Sequence, residues 1–393
     1  MTIADSSNYG IVIGIDASNL REGGGVTHLS EILRDYELDE LLIHRVIVWG
    51  SKNTLDLLLD RPWLNKILTP EIDKGLFSRI CWQKYSLPKL LSATECNILF
   101  VPGGSHSGFF QPVVTLSQNL LPFEWGEMFR YGLSWMTLRL LLLRWVQSQS
   151  FRSSDGLIFL TNYAKQRVLQ SLGKIDAKTI IIPHGLNSRF LNKPKVQKPI
   201  CEYSEARPYK LLYVSPIDQY KHQWHVIEAV FSLRQEGLPL RIDFVGPSYP
   251  PAFSRLKESI AKMPSSEDWI FCLGEIPYEE LHHIYAQADL GIFASSCENL
   301  PNILIEKMAM GLPIACSNRG PMPEILGEAG EYFDPEQPID ISRALRVLIN
   351  SAKLRNKKAN SSYHLAKSYS WDSCAKDTFA FLSEVAKCYK NGE

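Results

Sequence analysis

Short apolar runs that alternate with helical patterns are the feature that most constrains this fold. The first run, Ile11–Ile15, is β-branched apart from Gly14 and continuously apolar, as expected of a strand buried on both faces. The rhythm of such runs and helices predicts a parallel sheet covered by helices. Further strands of this first half are predicted at Arg45–Trp49, Asn97–Val101, Pro112–Leu116, Gly156–Thr161 and Thr179–Pro183.

The same rhythm restarts after Asn192–Pro208, a polar stretch with three prolines that reads as a linker. A chain of 393 residues exceeds the roughly 250–300 that one core holds, so two α/β domains are predicted. Strands of the second half are predicted at Lys210–Val214, Arg241–Val245, Trp269–Leu273, Leu290–Phe293 and Pro313–Ser317. Helices are predicted at Val26–Tyr36, Trp82–Leu91, Trp224–Glu236, Tyr278–Ala286, from Asn302, Ser342–Ser351 and Ser373–Tyr389.

Charge and cysteine usage exclude several classes of protein. Lys plus Arg (42) balance Asp plus Glu (42), so no global field attracts nucleic acid and any anion site is local. The eight cysteines are scattered without a CxxC pair or a metal-ligand spacing, which indicates reduced thiols and no metal site. The start MTIADSSNYG lacks the pattern of a secretory signal, so we expect a cytoplasmic protein.

The most apolar segment is Leu133–Val146, which Arg139 and Arg144 interrupt. It is shorter than the ~20 residues that a membrane span needs, so we expect that it does not cross a bilayer. Two interpretations remain: a buried helix, which the continuous apolar run favours, or a helix that lies in a membrane interface beside a lipid-linked acceptor.

The strongest functional pattern runs from the end of the strand Leu290–Phe293 into the next helix. Glu298 lies in the intervening turn, Asn302 opens the helix, and Glu306 follows four residues later on the same helical face. Backbone N–H groups at Asn302 and Ile303 have no partner within a helix and favour an anion such as a diphosphate. The flanking carboxylates suit sugar hydroxyls.

This spacing, with the following run up to Gly311, resembles the Glu-x7-Glu motif of the family-four retaining glycosyltransferases, which have the GT-B fold. The resemblance implies that Glu298 contacts the transferred sugar and Glu306 the ribose of the nucleotide. It also implies donor contacts from Asn299 and Leu300 in the same turn. Taken without this context, two glutamates eight residues apart are usually solvated surface acids.

A second pattern places Lys221 between the strand Lys210–Val214 and the next helix, where its ammonium can neutralise a leaving diphosphate. The family has an arginine five residues earlier, and this chain has Pro216 there. Either another cation replaces that arginine, or Lys221 and backbone dipoles hold the diphosphate. By the same resemblance, backbone groups at Gly274 and Ile276 face the nucleotide base.

Three places in the first half are candidates for ligand contacts. Gly24 and Gly25 are predicted to bind the donor, because they belong to a glycine-rich turn where backbone can closely approach a diphosphate or an acceptor. The other two are predicted on the acceptor side. Gln118 and Asn119 stand where many relatives carry a histidine near the reacting carbon, so no enzymic base is visible. His184 resembles a structural or cleft-lining residue of the family.

The resemblance implies a GT-B fold: two facing Rossmann-like domains with a cleft between them, where ligands bind at the carboxyl ends of the strands. The predicted domains are 1–195 on the acceptor side, 196–368 on the donor side, and 369–393. The last begins with Tyr369-Ser-Trp-Asp, which resembles the family's C-terminal helix that crosses back onto the first domain.

The predicted function is a retaining, metal-independent transfer of sugar from a nucleotide-diphosphate-sugar to an acceptor hydroxyl in polysaccharide or glycolipid synthesis. The donor is a co-substrate, and no cofactor is expected. Expected partners are the donor and a saccharide or lipid-linked acceptor, with no nucleic acid, and with peripheral contact at the inner membrane face through 133–146. Alternatives are an epimerase or phosphorylase on the same fold, or a silent nucleotide-sugar-binding protein.

Overall fold

The chain forms two compact units, each built on one parallel sheet. The computed structural model describes residues 10–21, 23–34 and 43–391. Unit 1 comprises Met1–Phe123, Trp135–Gly185 and Trp371–Glu393, and unit 2 comprises Glu124–Ser134 and Leu186–Ser370. The change of unit after Gly185 comes earlier in the chain than the domain boundary expected at 195/196, and the short segment Glu124–Ser134 was not expected in the second unit.

Unit 1 contains a sheet with the strand order β3-β2-β1-β4-β5-β6-β7, in which every neighbouring pair is parallel. All six residues of its central strand β1 are buried, which explains the continuous apolar run in the sequence. The strands are β1 (Ile11–Asp16), β2 (Ile43–Gly50), β3 (Leu64–Leu68), β4 (Ile98–Val101), β5 (Val113–Ser117), β6 (Gly156–Phe159) and β7 (Lys178–Ile181).

Unit 2 repeats the arrangement with the order β10-β9-β8-β11-β12-β13, again all parallel. The chain starts in the middle of the sheet, builds outward to one edge, and then returns to β11 beside β8. The strands are β8 (Tyr209–Val214), β9 (Leu240–Val245), β10 (Ile270–Cys272), β11 (Leu290–Phe293), β12 (Ile314–Ser317) and β13 (Gly330–Phe333).

Helices provide the parallel crossovers between the strands. In chain order they are α1 (Gly24–Arg34), α2 (Lys52–Leu55), α3 (Leu76–Cys81), α4 (Leu87–Ala93), α5 (Trp125–Met128), α6 (Trp135–Arg152), α7 (Asn162–Leu172), α8 (Gln223–Gln235), α9 (Pro250–Ala261), α10 (Leu281–Gln287), α11 (Asn302–Ala309), α12 (Met322–Leu326), α13 (Pro338–Ile349), α14 (Ala352–Ala366) and α15 (Trp371–Asn391).

The strands agree closely with the sequence prediction, except that the edge strands β3 and β13 were missed. Both are short, and polar residues such as Asn65 and Lys66 in β3 interrupt the apolar run that signals a buried strand. The helix predicted at Trp82–Leu91 is divided by a π-helical turn at Trp82–Ser86. The predicted end of the first helix at Tyr36 and the N-terminal stretch 1–9 lie outside the described residues.

The last helix, α15, belongs to unit 1 and packs on its sheet. A Cβ added to Gly156 of β6 would approach the side chains of Phe381 and Val385 at 3.0 and 3.1 Å. Gly185 has a similar role at the start of α15, because its Cβ would lie only 2.1 Å from the backbone nitrogen of Trp371. The absence of a side chain at Gly156 and at Gly185 therefore allows helix α15 to pack against unit 1.

Helix α6 has one buried side and one exposed side, which corrects the preference for a fully buried helix at 133–146. Its buried residues include Leu140 and Phe151. An opposite stripe is exposed, with relative accessibilities between 47% and 75%; it consists of Trp135, Leu138, Leu142 and Trp145. Over the described part of the chain, no helix has the length and apolar character needed to cross a membrane.

Close packing at the carboxyl ends of β8 and β9 generates the first prediction. Gly246 has φ +141°, and its Cβ would lie 2.4 Å from the carbonyl oxygen of Ser215. We expect Gly246→Ala to lower the free energy of unfolding by about 2–4 kcal/mol, since backbone strain and a clash add. The control is Gly237→Ala, with φ +87° and open space around it, for which about 1 kcal/mol is expected. Urea unfolding measures both, and equal costs would contradict the role of the Ser215 contact.

Candidate active site

Lys221 and Glu298 meet at the carboxyl ends of two neighbouring strands of unit 2. Lys221 follows β8 and Glu298 follows β11, and these strands pair directly. The Nζ atom of Lys221 donates to Oε1 of Glu298 in a close ion pair, with side chains that are only 4% and 15% exposed. Two residues predicted to serve one ligand are therefore in contact.

Hydrogen bonds fix the two loops that carry this pair. The backbone nitrogen of Ser296 donates to the carbonyl of Tyr220 at 2.9 Å, and the Tyr213 hydroxyl donates to the carbonyl of Lys221 at 2.7 Å. His222 Nε2 lies 2.9 Å from Ser296 Oγ. Burial lowers the pKa of His222 to about 3, so the ring is neutral at physiological pH.

Glu306 lies on α11, the helix that follows the Glu298 loop, and is buried. The hydroxyl of Tyr285 donates to its Oε2 at 3.1 Å. Burial raises the pKa of Glu306 to about 7, and the Tyr285 hydrogen bond opposes that rise. This carboxyl group therefore changes its charge in the physiological range, and its ability to accept two hydrogen bonds from a diol depends on pH.

Lys307 was not singled out from the sequence, although it follows Glu306 directly. Its side chain is fully buried, and its Nζ donates to the carbonyl of Val214 at 3.2 Å. The ammonium group lies 5.1 Å from the ring centroid of Phe293. Burial lowers the pKa of Lys307 to about 7. The core behind the Lys221 and Glu298 loops thus contains a second lysine, whose charge depends on pH.

The remaining predicted donor residues lie in the same region of unit 2. Asn299 and Leu300 are buried in the turn between Glu298 and α11. Helix α11 begins at Asn302 as predicted, and the backbone nitrogen of Leu304 donates to the carbonyl of Pro301 at 2.9 Å. The binding of a diphosphate at Asn302 and Ile303 stays a prediction.

The loop after β10 and the loop after β8 are positioned by backbone contacts. Gly274 has φ +70°, and its carbonyl accepts from the nitrogen of Gly246 at 2.8 Å; Ile276 follows in the same loop. Pro216, which replaces the arginine of the family pattern, has a carbonyl that accepts from Gln223 Nε2 at 2.9 Å. The roles of Gly274 and Ile276 toward a nucleotide base stay predictions.

The candidates of the first half, Gly24 and Gly25 for the donor and Gln118, Asn119 and His184 for the acceptor, all belong to unit 1. A Cβ on Gly25 would lie 2.7 Å from Oε1 of Gln118, so the glycine-rich turn and the end of β5 are adjacent. Nothing lies within 4 Å of the corresponding position on Gly24. Asn119 Oδ1 accepts from the backbone of Leu121 at 3.1 Å. The structure therefore brings Gly25 and Gln118 together.

His184 is buried in a stack of aromatic rings in unit 1. Its ring centroid lies 4.9 Å from that of His28 and 5.5 Å from that of Trp371. Burial lowers the pKa of His28 well below its ordinary value, and His184 lowers it further. This packing agrees with a structural role for His184.

Sequence reasoning missed a buried polar cluster at the carboxyl end of β1. Asp16 is fully buried, and its Oδ2 accepts from Gln83 Nε2 at 2.7 Å. Its Oδ1 accepts from the backbone of Ser18 at 2.9 Å, and His106 Nδ1 lies 4.0 Å from Oδ2. The available signal was an acid directly after the first predicted strand.

In residues 10–21, 23–34 and 43–391, no group of three or more His, Cys, Asp or Glu side chains is arranged to hold a metal ion. The first-choice ligands for such an ion would be carboxylates and imidazoles. Here Glu298 is paired with Lys221 and His222 with Ser296. Metal independence stays a prediction.

Comparison with known proteins finds a family match in the second half. Residues 202–364 match the family model described as "Glycosyl transferases group 1". The whole fold is GT-B. Anabaena HepE, solved in complex with UDP, superposes with a TM-score of 0.68 at 15% identity over 95% of this chain and 100% of that one.

Two curated relatives share the sequence more closely. O-antigen chain mannosyltransferase B of Escherichia coli is 26% identical over 226 residues, 58% of this chain and 57% of that protein. An MMP alpha-(1->4)-mannosyltransferase of Mycolicibacterium hassiacum is 28% identical over 265 residues, 63% of this chain and 61% of that protein. The matched region thus spans little more than half the length of these relatives.

The raised pKa of Glu306 generates a prediction about pH. If ribose hydroxyls donate to this carboxylate, affinity for UDP or GDP is full above the pKa of about 7 and falls on acidification, by up to about tenfold per pH unit. In Glu306→Gln the affinity is lower at pH 8, and this slope is lost. Calorimetry measures the affinity of both proteins between about pH 6 and 8. Comparison of the two proteins removes the contribution from protonation of the nucleotide itself. Equal slopes would rule out Glu306 as the titrating group.

Proposed function

We propose that this protein is a retaining glycosyltransferase that moves a sugar from a nucleotide-diphosphate-sugar to an acceptor hydroxyl. The product would belong to a cell-surface polysaccharide or glycolipid. The contact between Lys221 and Glu298 carries the proposal. It joins the two chemical groups that a sugar diphosphate requires, a carboxylate for sugar hydroxyls and a cation for the phosphates.

The fixed position of Lys221 supports a role in stabilising the leaving group. As the bond between the sugar C1 and the phosphate oxygen breaks, negative charge grows on the diphosphate. An ammonium group whose backbone is held by Tyr213 needs no reorganisation to meet that charge. Glu298 pairs with the buried ammonium group of Lys221 in the absence of a donor.

The family resemblance implies a retaining step, and the amides of Gln118 and Asn119 at the place where relatives carry a histidine are compatible with it. The acceptor oxygen bonds to C1 on the face from which the diphosphate leaves, and the leaving phosphate oxygen takes the acceptor proton. Gln118 is an amide and cannot serve as that base. No metal enters this scheme, since Lys221 and the start of α11 supply the electrostatic stabilisation.

The relatives support the choice of substrates. Both relatives named above are mannosyltransferases, and HepE was solved with UDP. We infer that the donor is held by unit 2, with Glu306 on the ribose, and the acceptor by unit 1, near Gly25 and Gln118. We infer a cytoplasmic enzyme that obtains its donor from the nucleotide-sugar pool.

A nucleotide-sugar panel tests the reaction. UDP-glucose, UDP-galactose, UDP-N-acetylglucosamine and GDP-mannose are screened by thermal shift and then by nucleotide release with saccharide acceptors. We expect one donor to raise the melting temperature and release nucleotide. Lys221→Met and Glu298→Gln lower kcat by about 100-fold or more, since each removes a group that acts on the transition state.

The matched control is Glu236→Gln, an exposed glutamate that pairs with Arg346 on the surface of unit 2 and leaves activity unchanged. NMR of the product determines the anomer, and inversion would overturn the retaining step. An isomerised donor sugar would indicate an epimerase, and a sugar 1-phosphate a phosphorylase. Binding without turnover under every acceptor tested would indicate a silent protein.

We also propose that the exposed face of α6 contacts the membrane that carries the acceptor. Trp135, Leu138, Leu142 and Trp145 follow helical spacing on one side, and Arg139 beside them is exposed. Contiguous apolar surface of this kind marks interaction sites, and tryptophans with a nearby cation suit the interface of an anionic bilayer. The helix would lie on the surface of the bilayer.

Sedimentation with vesicles tests this contact. With phosphatidylcholine vesicles that contain phosphatidylglycerol, we expect the double variant Leu142→Ser/Trp145→Ser to lower the partition coefficient by about tenfold or more, because two apolar groups leave the interface. The control is Ile339→Ser, which removes an exposed apolar side chain (84%) from unit 2. Equal losses in both proteins, or no binding of the wild type, would contradict the proposal.

A further inference from the structure

The segment Glu124–Ser134, called the docking segment below, is the least expected part of unit 2. The chain on both sides of it, up to Phe123 and from Trp135, belongs to unit 1. It contains the short helix α5 and the 3-10 turn Phe129–Tyr131. Its side chains bond to other parts of unit 2. Two of these bonds go to the loops of the candidate active site.

The first bond reaches the loop of Glu298. Oγ of Ser296, two residues before Glu298, donates to Oε2 of Glu127 at 2.6 Å. A serine hydroxyl has a single proton, so the neutral ring of His222 donates its Nε2–H to the same Oγ at 2.9 Å. Glu127 therefore terminates a chain of hydrogen bonds that begins one residue after Lys221.

The second bond reaches the loop of Lys221. The hydroxyl of Tyr131 donates to Oδ1 of Asp218 at 2.8 Å. The same Oδ1 accepts from the backbone of Gln219 at 2.7 Å, and the carbonyl of Asp218 accepts from the nitrogen of Lys221 at 3.1 Å. Asp218 thus caps the 3-10 turn that ends at Lys221. Burial and Asp218 raise the pKa of Tyr131, so its hydroxyl stays a donor.

Arg130 holds these contacts in place. Its guanidinium group bonds to both oxygens of Glu127, with Nε to Oε2 at 2.7 Å and Nη2 to Oε1 at 3.2 Å. It also bonds to both oxygens of Glu336, with Nη2 to Oε1 at 2.6 Å and Nη1 to Oε2 at 3.1 Å. Glu336 lies after β13, so Arg130 fastens the docking segment to the scaffold of unit 2.

We propose that Arg130 is a positioning residue that, through Glu127 and Tyr131, holds the Lys221 and Glu298 loops in the geometry needed for sugar transfer. The inference rests on the proposed function. Transfer is sensitive to such positioning, because a displacement of about 1 Å in a reacting group costs about 100-fold in rate. A planar guanidinium fits two carboxylates at once, whereas a lysine ammonium satisfies only part of that geometry.

The test uses Arg130→Ala, Arg130→Lys and Tyr131→Phe in the full chain, with UDP-glucose and GDP-mannose as donors and UDP and GDP as binding probes. We expect kcat to fall about 10- to 100-fold in Arg130→Ala, to recover in part in Arg130→Lys, and to fall severalfold in Tyr131→Phe. Affinity for UDP or GDP stays within about threefold, because Tyr285 holds Glu306 and the Gly246 backbone holds the Gly274 loop, and neither contact involves the docking segment.

The matched control is Arg346→Ala, which removes another arginine that bonds to both oxygens of a glutamate, Glu236, on the surface of unit 2. Its kcat should equal that of the wild type. Hydrogen exchange of the unliganded proteins gives a second readout that does not depend on activity. Peptides over 215–222 and 294–298 should exchange faster in Arg130→Ala than in Arg346→Ala.

Wild-type exchange at both loops in Arg130→Ala, or a kcat equal to that of Arg346→Ala, would overturn the positioning role. A parallel loss of kcat and nucleotide affinity that follows the melting temperature would overturn it too, because that pattern indicates general destabilisation. A wild-type protein that neither binds nor consumes any donor would refute the proposed function instead, and loop exchange would still decide whether the docking segment restrains the loops.

Discussion

Parallel strands end at the same edge of a sheet, and in unit 2 this makes one edge the meeting point of residues that are far apart in sequence. Lys221 and Glu298 are separated by 77 positions, yet β8 and β11 are neighbours because the chain returns to the centre of the sheet after building one side. The crossover helix α11 follows the loop at this edge and carries Glu306. The ion pair and the buried carboxyl group both depend on this order of strands.

Burial explains the electrostatic character of the site. An isolated charge inside a protein is costly, so the charged groups here are paired or change their pKa. Glu298 is paired with Lys221, whereas Glu306 accepts hydrogen bonds from tyrosine hydroxyls and has a pKa that burial raises to about 7. Burial shifts the pKa of Lys307 downward, as expected for a buried amino group. A ligand with hydroxyl and phosphate groups would donate hydrogen bonds to the carboxyl groups of Glu298 and Glu306 and would bring negative charge to Lys221.

The docking segment lies in the first half of the chain but belongs to unit 2. A stretch of eleven residues from within the first half completes the hydrogen bonding of the second. Arg130 takes its partners from two separate parts of the chain, Glu127 nearby and Glu336 after β13. Such a contact has no local sequence signature, since neither periodicity nor spacing relates residue 130 to residue 336.

The sequence by itself determined the class of fold and the residues of the central motif. Fully buried strands such as β1 and β11 appear in the sequence as nearly continuous apolar runs. The spacing of Glu298, Asn302 and Glu306 reflects the turn and the helix that contain them. The edge strands β3 and β13, the docking segment, the contact of Lys221 with Glu298 and the pKa of Glu306 became apparent only in the folded structure. Local patterns report which face of an element is buried, whereas partners across the chain and the polarity around a charge arise only when the elements pack together.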